Sequence, residues 1–180
     1  MKKSIFLLTT YLFFSAVLIA QTYIPNDGLS AVKFSIKNFG LNVAGSFKGI
    51  QGKIKFTPTN LSASSFLITL DATSINTGNK SRDGHLRKDT YFDVDKYDKL
   101  QFVSTKILSS SKSNEYIMEG LLTIKGVAKT ILFPFYATLT TNGYLFKGSF
   151  KINRRDFNVG ENSLVLSDML TVSLSIIANK

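Results

Sequence analysis

The sequence predicts an all-β domain of about seven or eight antiparallel strands, closed as a barrel or stacked as a sandwich, with one helical interlude. Three observations carry this. Apolar residues recur with period two along most of residues 22–180. Turn-forming groups punctuate the runs. One segment, from Gly78 to Tyr97, shows no alternation.

The chain opens on different material. Lys2 and Lys3 precede an uncharged stretch from Ser4 to Ala20. A short basic start, an apolar middle and a small residue before Gln21 have the form of a secretory signal peptide, with cleavage expected near Ala20. The alternative is an N-terminal membrane anchor, because the stretch is long enough to reach across much of a bilayer.

The strands follow in order. Val32, Phe34 and Ile36 alternate with Lys33, Ser35 and Lys37, and Ile54 and Phe56 with Lys53 and Lys55. Phe66, Ile68 and Leu70 share one face of the next run. In Gly78–Tyr97, Ser81 is placed to cap a short helix around His85 to Lys88, and Asp93 to cap a second turn before Tyr97. This segment is expected to cross over one end of the sheet. Tyr116, Met118, Leu122 and Ile124 share a face; so do Ile131, Phe133, Phe135, Ala137 and Leu139. Tyr144, Phe146, Phe150 and Ile152 form another, and Val172, Leu174 and Ile176 close the series. Such alternation gives each strand one apolar and one wet face. Turns fall at Asn38 to Gly40, Gly49 to Gly52, Thr141 to Gly143 and Asn158 to Gly160. No repeat or composition shift divides residues 21–180, which read as one domain.

Charge and composition narrow the function. The 180 residues hold 22 Lys and Arg against 12 acids, net +10. Without Lys2 and Lys3 the remainder is +8. Lys33, Lys37, Lys53, Lys55, Lys147 and Lys151 alternate with the apolar positions, so much of this charge belongs to the outer faces of strands. No nucleic-acid motif accompanies it, and nucleic acid is not expected as a partner; transient contact with a membrane surface fits the charge. Zero cysteines exclude disulfides, thiolate metal sites and a cysteine nucleophile. With the single histidine, His85, no metal site and no cofactor are expected. No nucleophile motif or acid–base pair accompanies His85, so binding is expected rather than catalysis.

The inner faces are rich in phenylalanine. Of 15 in the chain, Phe6, Phe13 and Phe14 lie in the leader, which leaves 12. A packed core and a barrel with a ligand cavity want the same side chains, so the residues alone leave both open.

Five ordered elements carry a resemblance. The first is Val32 to Lys37 with Phe39-Gly40, followed by Gly45-Ser46-Phe47 and Gly52 to Phe56. The core is Asn76 to Asn79, Arg82 to Arg87, Tyr91 to Val94, Tyr97 and Phe102 to Thr105. Gly120 to Val127 and Ile152 to Phe157 complete the set. Together they resemble the YceI-like family over essentially all of residues 21–178. Two departures stand out: Asp98 follows Tyr97 where the family often has proline, and Arg155 stands where a small residue is common. The resemblance implies an extended lipocalin-like antiparallel β-barrel of about eight strands, with a short helical insertion near residues 80–97. It implies export to the bacterial periplasm or beyond. It also implies that a long isoprenoid lipid, a polyprenyl phosphate or a quinone tail, is held inside the barrel for transport, storage or stress protection. No catalytic reaction is common to the family. The alternatives are an enzyme acting on an apolar substrate in the same cavity, and a packed barrel serving as a structural or interaction domain.

The candidate apolar lining is Phe34, Ile36, Phe56, Met118, Phe133, Phe135, Phe146 and Phe150, chosen from the inner faces. A polyisoprenoid asks for a dry tunnel with few polar contacts, since each buried CH₂ contributes about 0.8 kcal/mol. Arg82, His85 and Arg87 are the candidate polar group. They could meet a phosphate head, or anchor the helix to the barrel through groups such as Asp83 and Asp93.

Overall fold

The computed structural model describes residues 21–180. The expected signal peptide at residues 1–20, with its cleavage point, lies outside the described residues. Nine strands run in chain order: β1 (Thr22–Pro25), β2 (Ala31–Asn38), β3 (Leu41–Lys55), β4 (Ser65–Asn76), β5 (Lys99–Ser109), β6 (Glu115–Ile124), β7 (Val127–Thr140), β8 (Gly143–Asn153) and β9 (Leu166–Asn179). One short helix, α1 (Lys80–Leu86), stands between β4 and β5.

From β2 onward each strand pairs antiparallel with the next, and β9 returns to β2. β1 pairs with the C-terminal ends of β3 and β9, below β2. It therefore continues the β2 stave, offset by a 3₁₀ turn at Asp27–Leu29. Nine strands thus make eight staves of a closed up-and-down barrel, which leaves no open sheet edge. Two register shifts fall where β3 meets β4, between Ser46 and Lys48 and between Lys48 and Gln51, and one each in the β2–β9 and β5–β6 pairs. Bulges of this kind bend a strand and increase its twist. Gly52 sits in β3 at φ 143°, where a Cβ would run into the Leu67 carbonyl.

The period-two pattern places most side chains as expected; Leu139, expected on the inner face of β7, is instead exposed near the strand's end. Along β7, Phe133, Phe135 and Ala137 are buried while Leu132, Pro134 and Tyr136 are exposed. The barrel interior holds two buried clusters. The lower one is an aromatic plug. Phe56 lies at its centre, with ring centroids 5.2 Å from Tyr116, 5.2 Å from Tyr144 and 5.3 Å from Phe146, all near perpendicular. Edge-to-face contacts of this kind add to the burial each ring already contributes. The upper cluster joins Ile75, Val94, Leu100, Phe157 and Val159 beneath the helical crossover.

The crossover differs from the sequence expectation in its caps. Asn79, not Ser81, caps α1: its side chain accepts from the Arg82 amide at 3.0 Å, and Asn79 has the extended backbone a cap needs. Ser81 falls inside the first turn. Asp93 adopts a left-handed φ of 48°, and it is its carbonyl that accepts from Tyr97 N at 2.8 Å.

Truncating the centre of the plug tests this arrangement. Phe56→Ala should cost about 3–5 kcal/mol in chemical denaturation, because five aromatic neighbours lose their shared partner.

Candidate ligand-binding cavity

Between the two clusters lies a cavity of about 380 Å³. It runs from the top of the aromatic plug to the underside of the crossover. Met118, Phe133, Phe135 and Phe146 form its floor, and Phe34, Ile36 and Phe150 line its wall. These wall residues point inward yet are only half-buried, because part of each side chain faces the empty space. Phe56 does not line it. It was expected on the wall but lies below the floor, enclosed on every side by other rings.

Three further parts of the lining lie outside the candidates that the sequence suggests. Val172, Leu174 and Ile176 of β9 face the cavity, and their alternation was a usable signal. Phe102 also faces it. The roof is Leu86, Tyr91, Phe92 and Phe157, which belong to the family elements but lie in segments without periodicity, so no alternation marks them as lining.

Close backbone approach keeps the space open. Phe34 stands opposite Gly45 across the β2–β3 ladder, and its ring lies where a Cβ of residue 45 would be. Phe102 lies over Gly120 in the same way. Glycine lets each ring rest against the wall instead of projecting across the lumen.

Of the polar candidates, Arg82 and His85 border the roof of the cavity, and the two arginines bond to neighbouring chain rather than to each other. Thr77 donates to Asp83 Oδ1 through its amide at 2.8 Å and through its hydroxyl at 2.6 Å. Arg82 donates from Nε to Thr77 Oγ1 at 2.7 Å and from Nη2 to the Thr77 carbonyl at 3.0 Å. Arg87 is not on the lining. It donates from Nε to the Thr73 carbonyl at 2.8 Å and from Nη2 to the Ile75 carbonyl at 3.1 Å, which ties the end of α1 to β4. His85 meets Tyr91 edge to face at 5.2 Å. A further lining residue, Arg154, is 4% exposed. It donates to the Ser167 and Val159 carbonyls at 3.1 and 2.9 Å and to Asp168 Oδ1 at 2.7 Å, which holds the start of β9. Among the described residues, no three His, Cys, Asp or Glu side chains gather in a way that could hold a metal ion.

The Thr77 hydroxyl bond, with smaller help from the Thr77 amide and the Arg87 and Arg82 charges, holds Asp83 below the usual carboxylate range, against the opposing effect of burial. A carboxylate lowered in the folded state contributes stability above its unfolded pKa and loses it as pH falls through the folded value. Wild-type thermal stability should therefore drop on acidification below about pH 4. The gap in melting temperature between wild type and Asp83→Asn should narrow over the same range, measured by circular dichroism.

Comparison with known proteins agrees with this architecture. The family model described as the YceI-like domain matches residues 25–178. Protein YceI of Salmonella arizonae is 31% identical over 172 residues, covering 88% of each chain. Among solved structures, BcnA of Burkholderia cenocepacia superposes with a TM-score of 0.81 at 26% identity, over 87% of this chain and 99% of that one. A polyisoprenoid binding domain from Saccharophagus degradans superposes with a TM-score of 0.70 over 87% of this chain and 97% of that one; at 17% identity the likeness is one of fold. With the family model covering the barrel from the first strand to the last, the chain belongs to the YceI-like family.

Proposed function

We propose that this protein is an exported bacterial binding protein that holds the tail of a long isoprenoid lipid inside its barrel, for transport or storage rather than for chemical conversion. The observation that carries the reading is the cavity of about 380 Å³ walled by phenylalanine, isoleucine, leucine and valine. Its size lies within the roughly 300–1,000 Å³ of small-molecule pockets. A branched hydrocarbon gains about 25 cal/mol for each Å² taken out of water and needs little polar recognition along its length. The fold shared with the polyisoprenoid binding domain supports the same ligand class. The alternative of a packed structural barrel calls for a filled interior, and the void counts against it.

The roof favours an uncharged head, such as a quinone or a free polyprenol. Arg87 is committed to backbone carbonyls, and Arg82 directs Nε and Nη2 to Thr77. Arg154 is paired with Asp168. A phosphate would have to compete with bonds that hold the crossover in place. Export, and with it a periplasmic or secreted location, rests on the basic–apolar–small pattern of residues 1–20.

Two measurements test the proposal. Protein exported from a bacterial host should yield an isoprenoid lipid on solvent extraction and mass spectrometry. An empty barrel, even after polyprenols and quinones are offered, overturns the reading. Val172→Trp, which adds an indole to the lumen, should weaken quinone binding by about tenfold or more while the fold persists, since a filled cavity forfeits the ligand's burial.

A further inference from the structure

The upper rim of the cavity carries exposed apolar side chains that the barrel does not use. Asn38, Val43 and Leu166 mark the top of the lumen. Immediately beside them, Phe39 and Leu41 are each 74% exposed, and Leu164 is fully exposed. The two rim elements are joined, because Phe39 N donates to the Val165 carbonyl at 2.9 Å. Lumen, hairpin tip and the approach to β9 therefore form one continuous edge.

Phe39 is the informative residue. It occupies a left-handed φ of 49°, followed by Gly40 at 76°, a tight hairpin turn that favours asparagine, aspartate or glycine. Among the described residues, the other non-glycine residues with positive φ are Asp93, Asn114, Lys125 and Asn158, all polar. Lys125 and Gly126 form the same kind of turn, and the lysine donates to the Asn158 carbonyl at 2.9 Å. Phe39 has the same backbone strain with its ring in water. A residue that breaks the local rule and still leaves about three quarters of its surface in water marks a surface meant for something else.

The charge beside this edge identifies the occupant. The strands that lead away from the rim on this side are β2, β9 and β8. Their outward positions carry Lys33, Lys37, Lys147 and Lys151 among Ser35, Ser149, Thr171, Ser173 and Ser175, with no acid between them. Asp168, on the inner side, is bonded to Arg154. An apolar edge next to an uncompensated basic face complements an anionic bilayer: the side chains enter the headgroup layer and the lysines meet the lipid phosphates.

We propose that the rim formed by Phe39, Leu41, Leu164 and Val165 docks this protein on an anionic phospholipid bilayer, with the lysine face of β2 and β8 lying alongside and the lumen opening onto the lipid. The purpose of this docking rests on the lipid-holding reading above, but its measurement does not. The barrel would take up its cargo without passing a long apolar chain through water.

The test is vesicle flotation with isoprenoid-free vesicles, either phosphatidylcholine alone or phosphatidylcholine mixed with phosphatidylglycerol. The wild-type protein should float with the mixed vesicles and much less with the neutral ones, and added salt should weaken the binding. Replacing Phe39, Leu41 and Leu164 together by serine should lower partitioning about tenfold or more without lowering the melting temperature, since all three side chains are exposed. Replacing Lys33, Lys37 and Lys151 by glutamine should remove the preference for anionic vesicles, at about fivefold for each lysine that reaches the surface. Because the chain has no tryptophan, Phe39→Trp provides a single reporter, whose emission should shift to the blue on the mixed vesicles. The proposal fails if the wild type does not float with mixed vesicles, or if the serine variant floats equally well. It also fails if the same serine substitutions instead dissociate a dimer in sedimentation, which would assign the rim to a second copy. Flotation without any extractable isoprenoid would overturn the cargo reading and leave the docking surface standing.

Discussion

The pairing of β9 with β2, from Ser175 opposite Ala31 up to Leu166 opposite Asn38, turns a meander of strands into a ring. Once the ring is closed, the period-two alternation of every strand must point into a single enclosed space. An eight-stave interior is wide, so closure alone creates a space that side chains either fill or leave. Two register shifts and Gly52 bend β3 where it pairs with β4.

The interior is filled unevenly, and this leaves the cavity. Below, the rings around Phe56 meet edge to face and leave no room. Above, the crossover is held down by backbone-directed arginines: Arg87 on β4, Arg82 on Thr77, Arg154 on the start of β9. In the middle, the rings of Phe34 and Phe102 rest over Gly45 and Gly120 and leave the lumen empty. Polar bonding is thus concentrated in the roof, where it fixes the cap. The walls are left to non-directional burial, which suits a ligand recognised by its hydrocarbon.

The same division bears on the roles of Arg82, His85 and Arg87. Their proximity in sequence suggested one polar group. In the structure they separate: Arg82 and His85 border the lumen, while Arg87 bonds backbone on the far side of the helix. Positions that lie three and five apart on a short helix and its end cannot all face one ligand. The exposed lysines divide likewise, since those on β2 and β8 share one unpaired face that the linear sequence does not display.

The sequence by itself determined the all-β class, the inward face of β2, β3, β4 and β6 to β9 along most of their length, the place of the helical crossover and the family. These follow from local periodicity, turn chemistry and ordered motifs, each readable within a few residues. Only the tertiary structure decided that Phe56 packs below the cavity while Phe135 borders it, although both are inward phenylalanines. It alone decided that Asn79 rather than Ser81 caps α1, and that Tyr91 and Phe92 roof the lumen. It also decided that Phe39, in a strained turn, stands in water at the rim. The reason is physical: alternation specifies a face, but a cavity is the volume left over after every facing side chain has been placed, and that depends on neighbours distant in the chain.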